Sequence, residues 1–285
     1  MNPEKIILAS DISGIGKVAV TATLPLFAIC QLEVAVLPTA LLSSHTGGFP
    51  NVYVEDYQTG MKSFLAQWKN LDLNFSAMVI GYCKSASQLE QLLSFSRQKQ
   101  LDIIVDPIMG DQGTLYKGFD DDYVEAMKRV CQQATIIFPN LTETCLLLGL
   151  PYGEDGLLKN ELRGLAQKLA DLGPKIVCIT GLKLEDNQIG LVYFHSEKKT
   201  FHLFSHTLFP VHFFGTGDIL TALLTSSFVQ GIDFMKSIPI ILNFIEKSLA
   251  TTLELKIDIQ QGIYYQPHLG ELFNQFQQLL EEKNE

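Results

Sequence analysis

Short apolar runs rich in β-branched residues alternate with longer amphipathic stretches along this chain. That alternation limits the possible folds more than any other feature of the sequence. Strands are expected at "KIILA" (5–9), "EVAVL" (33–37), "AMVIG" (77–81), "DIIVD" (102–106), "TIIFP" (135–139) and "KIVCIT" (175–180). "IGLVYF" (189–194) and "FHLFSH" (201–206) read as a hairpin around the polar turn "SEKK". Helical periodicity covers 17–30, 59–69, 87–99, 120–133, 142–148, 159–172, 218–229, 236–254 and 268–282. Strands that are apolar on both faces and separated by helices belong to a mostly parallel sheet with helices on both sides. The expected class is therefore α/β, a three-layer sandwich. No linker, charge block or repeat interrupts the pattern, so residues 1–285 read as one domain.

The net charge of -10 argues against nucleic acid as the main partner, because phosphate backbones are bound with Lys and Arg. It leaves room for a small anion held by local backbone amides. The five cysteines are scattered and form no C-x-x-C, the pattern of free thiols in a reducing compartment. "MNPEKIILAS" has a short apolar run that Asp11 ends, unlike a signal peptide. No apolar run reaches membrane-spanning length. The expectation is a cytoplasmic protein with no membrane or nucleic-acid partner.

In sheets of this class, ligands bind beyond the carboxyl ends of the strands. Polar and glycine residues collect there repeatedly: "SDISGIGK", "PTALLSSHTGG", "YCKS", "PIMGDQGTLY" and "NLTE". The segment "HFFGTGDILTALL" (212–224) is the most pointed of the chemical motifs. Gly215 and Gly217 let the backbone approach a ligand closely. A helix starting here would offer unpaired amides to an anion. Asp218 beside that anion could take a proton from an attacking hydroxyl. The competing reading is that Thr216 or Asp218 only caps a helix.

"VDPIMGDQGTLY" ends a strand near Asp106, and Asp106, Asp111 and Glu143 are hard oxygen donors of the kind Mg²⁺ shares with nucleotide phosphates. The alternative is ordinary turn chemistry. "ASDISGIGKVA" fits G-x-G-x-x-A, but four residues separate the expected strand end from Gly14, and Glu33 begins a strand where the fingerprint wants an acid at its end. Lys17 is followed by Val18, which breaks a P-loop pattern. A small-molecule pocket using Ser10 and Asp11, or a glycine-rich turn with a cap, remain as readings. His45 is either a ligand contact or a loop residue. His202 and His206 have helical metal spacing but fall in a strand-like run and read as structural.

"GTGD" opening a late helix, "DPIMGDQGTLY" in the middle and "PNLTE" further on resemble the ribokinase superfamily. Together with "LSSHTGG" and "GYCKS", they resemble the pyridoxal (vitamin B6) kinases within it. The resemblance implies a ribokinase-like fold and ATP-dependent phosphorylation of the 5'-hydroxyl of pyridoxal, pyridoxine or pyridoxamine. It implies Asp218 as the base and Gly215, Thr216 and Gly217 as the anion hole. Ser10, Thr46 and Tyr82 would hold the acceptor ring. Asp106 and Glu143 would handle Mg²⁺ and, with Asp111, the phosphates. Asn140 and Thr180 would line the nucleotide side, and Tyr116 would sit on a flap over ATP. Such kinases are homodimers, and some need K⁺, although Phe138 stands where the family often has Thr near the monovalent-ion site. "HFF" is bulkier than the family's usual lead-in to "GTGD", and "ASDISGIGK" is partly like the start of the related hydroxymethylpyrimidine kinases. Those enzymes, a nicotinamide-dependent oxidoreductase and a non-catalytic B6 sensor are the other readings.

Overall fold

A computed structural model describes residues 4–153 and 157–284. The described strands form a nine-stranded, mostly parallel α/β sheet and a separate two-stranded ribbon. The chain resolves into two compact units, one holding the residues up to Phe64, Leu71–Ala77 and Phe209 onward, the other Leu65–Asn70 and Met78–Leu208.

In the first unit, β1 (Lys5–Ser13) pairs in parallel with β2 (Glu33–Leu42), and β3 (Val54–Asp56) runs antiparallel to β2. Ile6, Ile7, Leu8 and Ala9 of β1 are all buried, as expected of a strand covered on both faces. β1 does not stop at residue 9. It continues through Ser10 and Asp11 to Ser13, because Ile12 and Ser13 pair with Leu41 and Leu42 of a β2 that is itself longer than the apolar run suggests. The register shifts between Ser10 and Ile12, just past the Ser10–Pro38 pair, where a residue without an N–H interrupts the ladder. Ser10 and Asp11 are thus strand residues, not the loop residues read from the sequence. Helices α1 (Ala19–Ile29) and α7 (Thr216–Val229) pack on each other, and α1 also packs on β1. Helices α8 (Phe234–Glu254) and α9 (Leu269–Asn284) complete this unit, and α2 (Gln58–Asn70) begins in it.

In the second unit, β5 (Asp102–Val105), β8 (Ile136–Ile137) and β9 (Ile176–Leu184) are parallel neighbours. β10 (Gln188–His195) and β11 (Thr200–Thr207) extend them antiparallel, which is the expected hairpin. β9 outruns its expected end at Thr180 because Asp186 and Asn187, both at positive φ, make a tight turn that returns the chain as β10. Strand β4 (Ala77–Ile80) is buried along its whole length. The ribbon pairs β6 (Gly110–Asp111) with β7 (Thr114–Leu115). Helix α3 (Ala86–Lys99) starts at Ser85, which accepts the Gln88 amide. Helix α4 (Asp121–Cys131) starts at Asp120, which accepts the Tyr123 amide, with acids in its first turn and bases in its last, as the helix dipole favours. Helices α5 (Leu141–Leu148) and α6 (Lys159–Asp171) pack on β9.

All five cysteines are buried, and none forms a disulfide. Among the described residues, no helix is long and apolar enough to cross a membrane.

Candidate active site

The "GTGD" segment of the first unit folds as a helix start without a side-chain cap. Gly215 is the N-cap of α7, at φ 93°, and having no side chain it gives the first-turn amides no capping acceptor. That removes the reading of Thr216 or Asp218 as a mere cap. A Cβ on residue 215 would lie 2.5 Å from the Lys17 carbonyl oxygen, so both backbone angle and space call for glycine. The amides of the first turn have no acceptor within the helix, and the dipole makes them a favourable place for an anion.

Asp218 stands in this turn. Burial of its carboxyl pushes its pKa above the usual carboxylate range, while the backbone N–H of Ala19 at the start of α1 bonds to it and pulls the other way, with His45 nearby. Ala19 has φ 47°, a costly conformation for a residue with a Cβ. A second acid lies close by. Asp11 is buried and accepts from Ser13 Oγ at 3.1 Å and from Ser10 Oγ at 3.4 Å. Burial and then the charge of Asp218 push Asp11 up to about 6.

The "SSHTGG" loop is held by contacts that are far apart in sequence. The Gly47 amide donates to His45 Nδ1 at 3.1 Å, so Nε2 carries the ring proton and donates to the Gln260 carbonyl at 2.6 Å. Phe214 lies 4.8 Å from the His45 ring, and a Cβ on Gly47 would collide with Phe214. This accounts for the bulky "HFF" lead-in: Phe214 fills the space that Gly47 leaves open. Thr46 is exposed beside the buried His45. The Lys17 amide donates to the Gln261 carbonyl at 3.0 Å and Lys17 Nζ to the Ile263 carbonyl at 3.2 Å. "GIGK" therefore ties the start of α1 to the 259–263 segment and is neither a dinucleotide turn nor a P-loop. The first unit brings Ser10, Asp11, His45, Gly215, Thr216, Gly217 and Asp218 into one neighbourhood.

The second unit assembles the acidic set. Asn140 caps α5 by accepting the Glu143 amide at 2.9 Å, and Glu143 Oε2 accepts the Asn140 amide at 2.8 Å, a reciprocal capping box. Glu143 Oε1 accepts the Met109 amide at 3.2 Å, Asn140 Nδ2 donates to the Gly110 carbonyl at 2.9 Å, and Thr142 Oγ1 accepts the Gly113 amide at 2.9 Å. "PNLTE" thus anchors the whole "DPIMGDQG" turn. Thr180 is joined to the same place, its amide donating to the Pro139 carbonyl at 2.9 Å beside a bridge to Asn140. Tyr116 is exposed, with its amide donating to the Met109 carbonyl at 2.8 Å. Tyr82 lies against Phe119, with ring centroids 5.8 Å apart.

Burial pushes the Glu143 carboxyl well up, and the charges of Asp106 and Asp111 add to this, against the amides of Asn140 and Met109. Like charges sharing a desolvated place are what a cation offsets. Among the described residues, no group of three metal-binding side chains occurs. The acids fit a Mg²⁺ that takes one or two carboxylates and completes its shell with water and phosphate oxygens, and they do not fit an all-protein cage.

An α/β sheet carrying a carboxylate beside a glycine-led helix start suits phosphoryl transfer, the chemistry of the phosphotransferases. The phosphomethylpyrimidine kinase family model matches residues 21–263, and the chain belongs to that family. A solved protein of Bacteroides thetaiotaomicron VPI-5482, described as a phosphomethylpyrimidine kinase and crystallised with pyridoxal, is 31% identical, with a TM-score of 0.90 over 95% of this chain and 96% of that one. The pyridoxal kinase of Lactobacillus plantarum is 31% identical, with a TM-score of 0.88 over 95% and 97%. A pyridoxal kinase of Arabidopsis thaliana is 29% identical over 67% of each chain. These relatives bear out the resemblance to the pyridoxal kinases of the ribokinase superfamily, and the chain is an enzyme of this kinase class.

Proposed function

We propose that this enzyme transfers the γ-phosphoryl group of ATP to the 5'-hydroxyl of pyridoxal, pyridoxine or pyridoxamine. The observation that carries the reading is Asp218: a desolvated carboxyl, held by the Ala19 amide, at an uncapped helix start led by Gly215. A carboxylate with a raised pKa is a stronger base than one in water. Asp218 takes the hydroxyl proton, the freed oxygen attacks the γ-phosphorus, and the bond to the β–γ bridging oxygen breaks, leaving ADP. Gly215, Thr216 and Gly217 hold the charge that spreads over the phosphoryl oxygens. Ser10, Thr46 and Tyr82 are assigned to the acceptor ring. Asn140, Thr180, Tyr116 and Asp111 are assigned to the nucleotide. Asp106 and Glu143 would hold Mg²⁺, directly or through water, and the ion when bound neutralises phosphate charge.

Hydroxymethylpyrimidine is the second acceptor to weigh, because the matching family model is that of the phosphomethylpyrimidine kinases. A coupled ADP-release assay with Mg²⁺-ATP separates the two, run with and without K⁺. The panel is pyridoxal, pyridoxine, pyridoxamine, hydroxymethylpyrimidine and ribose. Turnover of a B6 vitamer well above the pyrimidine is expected. Turnover of the pyrimidine alone would keep the mechanism and replace the substrate.

A further inference from the structure

Tyr82 is assigned above to the acceptor ring, and the second unit surrounds it with an arrangement that this role alone does not explain. The backbone beside it is fixed twice: Tyr123 Oη donates to the Cys83 carbonyl at 2.9 Å, and the Lys84 amide donates to Gln88 Oε1 at 2.7 Å. Gln88 and Tyr123 are both buried. The ring of Tyr82 meets Phe119 at 5.8 Å and 40°. Phe119 in turn lies flat on Tyr123, with centroids 3.9 Å apart and planes within 7°. The two rings are stacked in parallel, closer than the usual range for aromatic pairs, and the surrounding frame holds them there. That frame is visible. Asp120 caps α4 and fixes Tyr123, and the Phe119 amide donates to the Tyr116 carbonyl at 3.1 Å, closing a turn behind the ribbon. The Phe119 ring therefore touches both the Tyr82 and the Tyr123 rings, while its amide ties the backbone to Tyr116, just past the ribbon.

We propose that Phe119 is a positioning residue that sets the plane of the Tyr82 ring and links it to the 110–116 hairpin. The inference rests on the functional reading above for its kinetic consequence, but its geometric content stands apart from it. Phe119→Leu keeps an apolar side chain and removes the flat ring. It is expected to raise KM for the B6 vitamer about 3- to 10-fold, the scale of one lost aromatic pair, with KM for ATP changed by less than about 2-fold. Phe119→Tyr retains the ring and should behave as the wild type does. In a Tyr82→Leu background the Phe119→Leu effect should disappear, because a residue that acts through another has nothing left to act on. An equal effect in both backgrounds, or no effect of Phe119→Leu in either, overturns the proposal.

The second readout needs no turnover. Nitration of Tyr82 by tetranitromethane, followed by mass spectrometry of the peptide that contains it, should be faster in Phe119→Leu than in wild type and unchanged in Phe119→Tyr. An unchanged rate in Phe119→Leu overturns the proposal. If the wild type turns over no B6 vitamer, the functional reading fails and the nitration rates decide the role of Phe119 by themselves.

Discussion

Two acids, one in each unit, are held in opposite ways. Glu143 has both carboxyl oxygens engaged by backbone amides, of Asn140 and Met109, inside a capping box. Asp218 is held by the single amide of Ala19, in a turn whose own cap is a glycine. Burial raises the pKa of both. The difference lies in what each could give up. Releasing Glu143 would open a helix start and unpin the 109–113 turn. Releasing or protonating Asp218 changes one contact and leaves the helix intact. The first arrangement suits an acid that organises a site. The second suits an acid that must change its protonation state during a reaction.

The sharpest break between them is the Asp218→Asn and Glu143→Ala pair. Asp218→Asn should slow turnover by about two to four orders of magnitude, the loss expected for a general base. Its melting temperature should be unchanged or higher, because a desolvated charge is removed. Glu143→Ala should cost about 2 to 4 kcal/mol of stability through the broken capping box and two orphaned amides, read by thermal or denaturant unfolding. Similar rate and stability losses in the two variants would erase the distinction.

Gly215→Ala comes next. It places a Cβ against the Lys17 carbonyl at positive φ and should cost at least about 2 kcal/mol along with turnover. A variant as stable as the wild type would mean that the helix start is not held in this form.

The smallest effect belongs to Asp11. Its folded pKa of about 6 lies above the ordinary value of 3.8, so the folded state binds more protons between those two values, and stability falls as pH rises through that window. Asp11→Asn should remove that decline and stabilise the protein above pH 6, by about 1 to 3 kcal/mol. At pH 4 or below it should change little. Melting curves from pH 4 to pH 8 test this, and a variant destabilised equally at both ends would contradict it.

The alternation of apolar runs with helical periodicity was enough to read the central strands and the helices, because burial on both faces leaves a compositional mark. The same reasoning missed what polar residues conceal. β1 continues through Ser10–Ser13 and β2 through Pro38–Leu42 because each supplies the other's hydrogen bonds, which no local pattern records. β3 and the 110–115 ribbon are too short to show periodicity. At the site, "GTGD" is a local device, a helix start, and is legible as such; "PNLTE" was read only for its possible ligands, although its N-x-x-E spacing is the signal of the capping box that the structure shows. The 259–263 segment was not legible. Gln260, Gln261 and Ile263 act through their backbone carbonyls on His45 and Lys17, more than two hundred residues away, and a carbonyl has no sequence signature.

The most direct test of the central claim is to incubate wild type and Asp218→Asn with Mg²⁺-ATP and pyridoxal, and to quantify ADP and pyridoxal 5'-phosphate together. Equal amounts of the two products from the wild type, and at least about a hundredfold less of both from the variant, is the predicted result. Pyridoxal 5'-phosphate formed by Asp218→Asn at close to the wild-type rate, or ADP released by the wild type without the ester, would contradict it.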